Sequence, residues 1–313
     1  KKIDSKNIYS YPNLGIVYSN LAKILKVEMK NLLLTAGSDA GIKMVFETFL
    51  KKNDLILRVN PTFAMYSIYS KFYKTKELLI DYKNINNKLV LDIDEILYLI
   101  ENKSPKLICI PNPNSPTGNL IELKDCIKIL KVAKKNNSLV LFDEAYYPFS
   151  NFTLLNLIDK FDNLLIVRST AKSFGMAGFR VGYLISNPSN IYQLQKIKPM
   201  YEINNLGANV FNFLLKNYNF VLKRIETLKK SKKYFEDEIQ KMGFLTYDTH
   251  GNFSNINFGD KTLLIHKNLK KIIYFKKNFE HHSMKGITRI STTNKKNFIK
   301  ILNHIRMFKN EKN

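Results

Sequence analysis

Leu139-Val140-Leu141-Phe142-Asp143-Glu144-Ala145-Tyr146 sets four apolar residues in a row against an acid. Consecutive apolar positions, in place of alternating ones, mark a strand covered on both faces, as in a parallel sheet packed between helices. The exit of such a strand is where open α/β sheets present groups to ligands. Asp143 is therefore a site candidate, although aspartate also ends strands by capping the following turn.

Working outward, similar short runs recur at Leu32 to Thr35, Leu55 to Val59, Lys106 to Ile110, Leu164 to Val167 and Val181 to Ile185. Helical patterns separate them at Ile16 to Val27, Asp39 to Leu50, Glu122 to Lys134 and Ser189 to Lys196. That alternation predicts an α/β domain with a mainly parallel sheet between helices. After Pro199 the character changes. A long helical stretch from about Asn204 to Met242 precedes strand-like Phe253 to Asn257, Ile272 to Phe275 and Thr288 to Ser291, with a closing helix from about Lys295 to Phe308. The expected organisation is an N-terminal arm remnant and first helix over 1–30, a large domain over 31–203 and a smaller α+β domain over 204–313.

The 313 residues suffice for a substantial core, and 45% hydrophobic with 24% charged residues describes an ordinary globular chain. No apolar run approaches the ~18 residues of a membrane span. The start leads into no signal-peptide apolar segment, and the absence of an initiator methionine leaves open what precedes Lys1. Cys109 and Cys126 form no metal or disulfide framework and fit a reducing cytoplasm. The net charge of +24 raises the question of a nucleic-acid partner, but the lysines are spread along the chain among Asn and Ile, without the clustering a basic groove requires.

Against that background one lysine stands out. Ser169-Thr170-Ala171-Lys172-Ser173-Phe174-Gly175-Met176-Ala177-Gly178-Phe179-Arg180-Val181-Gly182 places Lys172 among small residues with Arg180 downstream. A lysine amine attacks a carbonyl only when unprotonated, which calls for a dry, positively biased pocket, and an arginine supplies that bias while gripping a phosphate. Gly37-Ser38-Asp39, between a strand and a helix, suits an anion at a helix start, or a plain cap at Ser38. Pro111-Asn112-Pro113-Asn114-Ser115-Pro116-Thr117-Gly118 makes a rigid polar loop after another apolar strand. Pro61-Thr62-Phe63-Ala64-Met65-Tyr66 offers aromatics able to stack on a flat ring or to pack in a core. Arg289, in Thr288-Arg289-Ile290-Ser291, suits a bidentate grip on an acid, or a surface ion pair. The five histidines lack metal-ligand spacing, and no dinucleotide or Walker loop is present.

Taken in order from Gly37 to Ser291, these segments resemble the class I and II pyridoxal-phosphate aminotransferases, most of all their histidinol-phosphate aminotransferase subfamily. The resemblance implies the fold type I architecture, pyridoxal 5'-phosphate as cofactor and Lys172 as the residue that bonds its aldehyde as a Schiff base and then shuttles a proton. It implies Asp143 at the ring nitrogen, Tyr146 at the ring oxygen, and Ser38, Asp39, Ser169 and Arg180 at the phosphate. It further implies Phe63 as the stacking residue with Tyr66 second, Arg289 at the substrate's acidic group, and Tyr11 reaching the phosphate of a neighbouring subunit in a homodimer with shared sites.

Three positions depart from the family pattern. Ser115 stands where asparagine is usual, so the ring-oxygen contact is weakened or shifts to Asn114. Lys276, thirteen residues before Arg289, replaces a second arginine, giving a point charge in place of a planar fork. The arm before Tyr11 is nearly absent. All three bear on the substrate side. Transamination between an amino acid and a small phosphorylated or carboxylated oxo compound is the leading expectation, with decarboxylation of a phosphorylated amino acid, or a basic binding protein without turnover, as alternatives.

Overall fold

The computed structural model describes residues 5–277 and 279–309, so the arm expected over 1–30 is seen from Ser5 onward and residues 1–4 lie outside the described residues. Along the chain run α1 (Lys6–Tyr9), α2 (Leu14–Leu25), β1 (Leu32–Thr35), α3 (Gly37–Phe49), β2 (Leu55–Asn60), α4 (Met65–Phe72), β3 (Lys76–Asp81), a hairpin of β4 (Lys83–Ile85) and β5 (Lys88–Val90), α5 (Ile93–Lys103), β6 (Leu107–Pro111), α6 (Leu123–Lys135), β7 (Leu139–Asp143), β8 (Leu164–Ser169), β9 (Gly182–Ser186) and α7 (Pro188–Gln195). Then follow α8 (Asn205–Lys216), α9 (Tyr218–Lys241), β10 (Leu245–Tyr247), β11 (Phe253–Asn257), α10 (Thr262–Leu269), β12 (Ile287–Ser291) and α11 (Lys295–Lys309).

Seven strands form one sheet in the order β1-β9-β8-β7-β6-β2-β3. The pairs β2–β3, β2–β6, β6–β7 and β7–β8 are parallel, while β9 runs against both β1 and β8. Reversing β9 alone brings its first residue to the edge where β1, β2, β6, β7 and β8 end. Asp143, Ser169, Thr35, Asn60, Pro111 and Gly182 therefore share one rim of the sheet. The apolar run that opened the sequence analysis is buried from Val140 to Asp143, with one core on each face of the sheet.

The helix starts follow ordinary capping chemistry: Asn13, Asp92, Asn187 and Asn204 each accept a backbone N–H from the first turn they precede. Three strands, β10-β11-β12, make a separate antiparallel sheet backed by α9, α10 and α11. Phe235 and Phe298 stack at 4.2 Å in that second core. Ala208, Phe211 and Leu215 of α8 instead lie in the first core, together with Val17 and Leu21 of α2.

Two expectations change. The helical stretch from Asn204 to Met242 is two helices, because Asn217 leaves helical geometry at φ −112°, ψ 37° while its side-chain amide donates to the carbonyl of Phe213. Ile272 to Phe275 is not a strand. Ile272 and Ile273 both donate to the carbonyl of Leu269, ending α10 in turns, and only Lys276 reaches the sheet, in a single bridge with Arg289.

Candidate active site

Strand register builds the site. Gly182 pairs with Thr35 on one side and Ser169 on the other, so the turn entering α3, the end of β8 and the start of β9 meet at one level. A side chain at Gly182 would bring its Cβ to 2.4 Å from the carbonyl carbon of Gly37 and 2.5 Å from the nitrogen of Ser38. Gly37 has φ +85°, and a Cβ there would lie 2.7 Å from Nη2 of Arg180. Two bare backbones and an arginine thus frame the amino end of α3, a partial positive charge that favours an anion.

Between Ser169 and Gly182 the chain makes a stitched loop. Thr170 Oγ1 donates to the carbonyl of Val181, Met176 N–H to that of Thr170, and Ser173 Oγ to that of Tyr146. Lys172 stands on this loop with its amine 5.8 Å from the centre of the Tyr146 ring. Its side chain is accessible from the open cavity, yet the protein packed around the amine lowers its pKa, and the charge of Arg289 lowers it further.

Asp143 is buried, accepting from Ala145 N–H at 2.9 Å and from the Tyr66 hydroxyl at 3.2 Å. Burial pushes its pKa up to about 6, against the lowering pull of those two bonds and of Lys172. Its neighbour Glu144, just past the end of β7, enters a buried pair with Arg168: Nε and Nη2 donate to Oε2 at 3.0 and 2.8 Å, and the guanidinium lies 3.6 Å over the Tyr147 ring. That pair ties the ends of β7 and β8 together behind the site.

Ser38, Asp39, Phe63, Ser115, Asp143, Tyr146, Ser169, Lys172 and Arg180, all anticipated from the sequence, line one cavity of about 160 Å³. Arg289 and Lys276 line the adjoining cleft of about 650 Å³, which shares Phe63 and Ser115 with it. The second sheet delivers Arg289 there. Asn255 pairs with Arg289 and donates both amide hydrogens to the carbonyls of Pro116 and Thr117, at 3.0 Å each, and Arg289 Nη1 donates to Ser115 Oγ at 2.9 Å.

Two anticipated residues, Asn114 and Tyr66, fall elsewhere, and Tyr11, expected at a partner subunit's phosphate, is exposed. Asn114 does not line the cavity: its amide donates to the Pro61 carbonyl and Thr117 Oγ1, and its oxygen accepts from Thr62, so it braces the loop. Tyr66 does not stack. It is fully buried beneath the cavity, where its hydroxyl serves Asp143. Tyr11 lies outside the cavity, 73% exposed, its ring stacked 3.8 Å from that of Tyr201. Sequence reasoning missed Tyr69, whose hydroxyl donates to Asp39; its helical spacing after Tyr66 is the only signal it offered.

The set fits pyridoxal phosphate. A buried carboxylate with no ion-pair partner within 4.0 Å among the described residues suits a protonated ring nitrogen, and the glycine-framed helix start with Arg180 suits a phosphate. Fold and site together define a lysine-bearing pyridoxal-phosphate transferase. Residues 5–305 match the model of the family Aminotransferase class I and II, and the chain belongs to that family as a pyridoxal-phosphate-dependent aminotransferase. It is 32% identical to the histidinol-phosphate aminotransferase of Caldanaerobacter subterraneus over 92% of this chain and 80% of that one, and 30% identical to that of Clostridium novyi over 96% and 83%. The solved histidinol-phosphate aminotransferase of Clostridium acetobutylicum superposes with a TM-score of 0.87 at 23% identity, covering 97% of this chain and 92% of that chain, and confirms the fold type I architecture. No helix among the described residues is long and apolar enough to cross a membrane.

Proposed function

We propose that this aminotransferase acts on histidinol phosphate, with a 2-oxo acid as the exchanging partner. The observation that carries the reading is the cleft beside Lys172, where Arg289 and Lys276 offer two cations to a phosphate at the position from which the amine would face the cavity. The likeness to histidinol-phosphate aminotransferases over most of the chain supports it.

When bound, pyridoxal phosphate supplies an aldehyde that condenses with amines and a ring that withdraws the electron pair left when the α-proton departs. The rest is the protein's part. Lys172 would hold the aldehyde covalently until substrate displaces it, and its freed amine would take and return the proton. Asp143 would keep the ring nitrogen protonated, and Tyr146 would donate to the ring oxygen. Phe63 would cover the ring face, while Ser38, Asp39, Ser169 and Arg180 would hold the phosphate. Ser115 would reach the ring oxygen only weakly, and Arg289 with Lys276 would orient the substrate's anionic group.

In this reading the protein is a cytoplasmic homodimer, with Tyr11 completing the phosphate site of the partner subunit; the exposure of Tyr11 supports it. Because α8 shares the core of the large sheet, we place the start of the small domain within α9 instead of at residue 204. The holoenzyme should convert histidinol phosphate to its carbonyl product only when a 2-oxo acid is supplied. Release of carbon dioxide from O-phosphothreonine, without amino transfer from histidinol phosphate, would overturn the substrate assignment. Sedimentation as a monomer at micromolar concentration would overturn the shared site.

A further inference from the structure

The outer cleft carries charges of both signs that do not neutralise one another. Arg289 and Lys276 line it, and so does Glu280, an exposed residue on the segment leading away from Lys276. Although Lys276 and Glu280 are four residues apart, no ion pair within 4.0 Å joins Glu280 to any cation among the described residues. His281, which also lines the cleft, is already engaged. Its Nδ1 accepts from Ser283 N–H at 3.3 Å and faces Ser283 Oγ at 2.8 Å, while Nε2 lies 3.2 Å from Asp81. Asp81 in turn accepts from Asn60 at 2.7 Å. Of the charged groups lining this cleft, two cations, Arg289 and Lys276, and one carboxylate, Glu280, have no ion-pair partner within 4.0 Å among the described residues.

Resting on the substrate reading above, we infer that Glu280 is a specificity-determining residue among phosphorylated substrates, which favours those whose end remote from the phosphate donates a hydrogen bond or carries positive charge, and disfavours those that carry a carboxylate as well as the phosphate. Charge balance in the cleft sets this preference. A phosphorylated amine with an N–H-bearing ring places its phosphate against Arg289 and Lys276 and its ring donor against Glu280, so every charge in the cleft gains a partner. An amino acid phosphate brings two anions and leaves one of them facing Glu280. Like charges sharing one cleft are disfavoured even where solvent screens them, and salt weakens the effect. An imidazole, neutral or protonated, always retains at least one N–H to donate.

The test measures equilibrium dissociation constants of the holoenzyme by calorimetry for histidinol phosphate, phenylalaninol phosphate and O-phosphothreonine. Phenylalaninol phosphate has a similar ring without N–H groups. The wild type should bind the three in that order of decreasing affinity. Glu280→Gln should shrink the ratio between histidinol phosphate and O-phosphothreonine by about three- to tenfold, and Glu280→Lys by more, with the wild-type ratio also shrinking as salt is raised. Both variants lie at an exposed position and should keep the wild-type melting temperature and cofactor absorbance. Ratios that stay unchanged in both variants, or a wild type that prefers O-phosphothreonine, overturn the inference. The substrate reading fails separately: if histidinol phosphate binds but is not converted, the catalytic assignment falls while the ratios still decide the role of Glu280.

Discussion

The Tyr66 hydroxyl donates to Oδ2 of Asp143 at 3.2 Å from within the core, so the carboxylate beneath the cofactor cavity is held from below by a residue that never reaches the cavity. Burial nevertheless dominates and raises Asp143 to about 6. A carboxyl whose folded pKa lies above its unfolded value stabilises the fold in its protonated form, fully below the unfolded pKa, and loses that contribution as pH rises through the folded one. Cofactor-free protein should lose roughly 3 kcal/mol of stability from this residue between pH 4 and 7. Urea unfolding across that range should show the slope in the wild type, its absence in Asp143→Asn, and its displacement to higher pH in Tyr66→Phe. A wild-type profile parallel to that of Asp143→Asn contradicts the assignment.

Lys172→Ala should end covalent cofactor attachment, read as loss of the label fixed by borohydride reduction, and should lower turnover by at least the roughly 10²- to 10⁴-fold that positioned proton transfer contributes. Since Arg289 helps to depress the amine's pKa, Arg289→Gln should raise it. Cofactor uptake, which needs the unprotonated amine, should then shift to higher pH in that variant. A shift to lower pH would exclude the electrostatic coupling.

Gly182→Ala has no room for its methyl against the backbone of Gly37 and Ser38. Overpacking of this kind costs about 1–3 kcal/mol, and here it should also push the helix start away from the phosphate. Equilibrium dialysis against pyridoxal phosphate should show weaker binding, with a much smaller effect for pyridoxal, which lacks the phosphate. Equal losses for both ligands would mean that the glycine serves only the fold.

Arg168→Met strands the Glu144 carboxylate in the core, a change that typically costs about 3–5 kcal/mol, whereas replacing both partners by apolar residues of similar size is often close to neutral. Denaturation of Arg168→Met against the double variant with Glu144→Leu should show the single change as the more damaging one. The reverse order would count against a mutually dependent pair.

Lys276→Arg should restore a planar fork toward a phosphate beside Arg289. KM for histidinol phosphate should fall by about tenfold or less with kcat little changed, the expected scale for one added charge-assisted hydrogen bond. Unaltered KM would place the substrate anion on Arg289 alone.

Much of this architecture was legible because it rests on local chemistry. Leu139 to Asp143 announced a buried parallel strand by its unbroken apolar run, and the loop around Lys172 by its small residues and Arg180. Other features depend on neighbours that sequence order does not supply. The strand Lys76–Asp81 is an edge strand with only Ile80 fully buried, so no apolar pattern marks it. Tyr66 and Phe63 are both aromatic and stand three residues apart, and only the packing of α4 buries Tyr66 beneath the cavity that Phe63 lines. Asn114 was displaced from the cavity by its bonds to Pro61, Thr62 and Thr117, two of which come from a different strand exit. The break at Asn217 lay in a single side chain's competition for a backbone carbonyl.

Gly182 pairs directly with Ser169, so the segment carrying Lys172 leaves and re-enters the sheet at adjacent points, with Ser169 at one foot and Arg180 near the other. A phosphate held, as proposed, between Ser169 and Arg180 would act as a clasp on the loop's mouth. Binding it would add to the Thr170–Val181 hydrogen bonds that already close the loop's base, so that part of the entropy of closure would be spent before Lys172 meets any aldehyde. Inorganic phosphate should therefore steady the lysine of the empty enzyme while competing for the cofactor's own seat, so that one anion both prepares this loop and delays its loading.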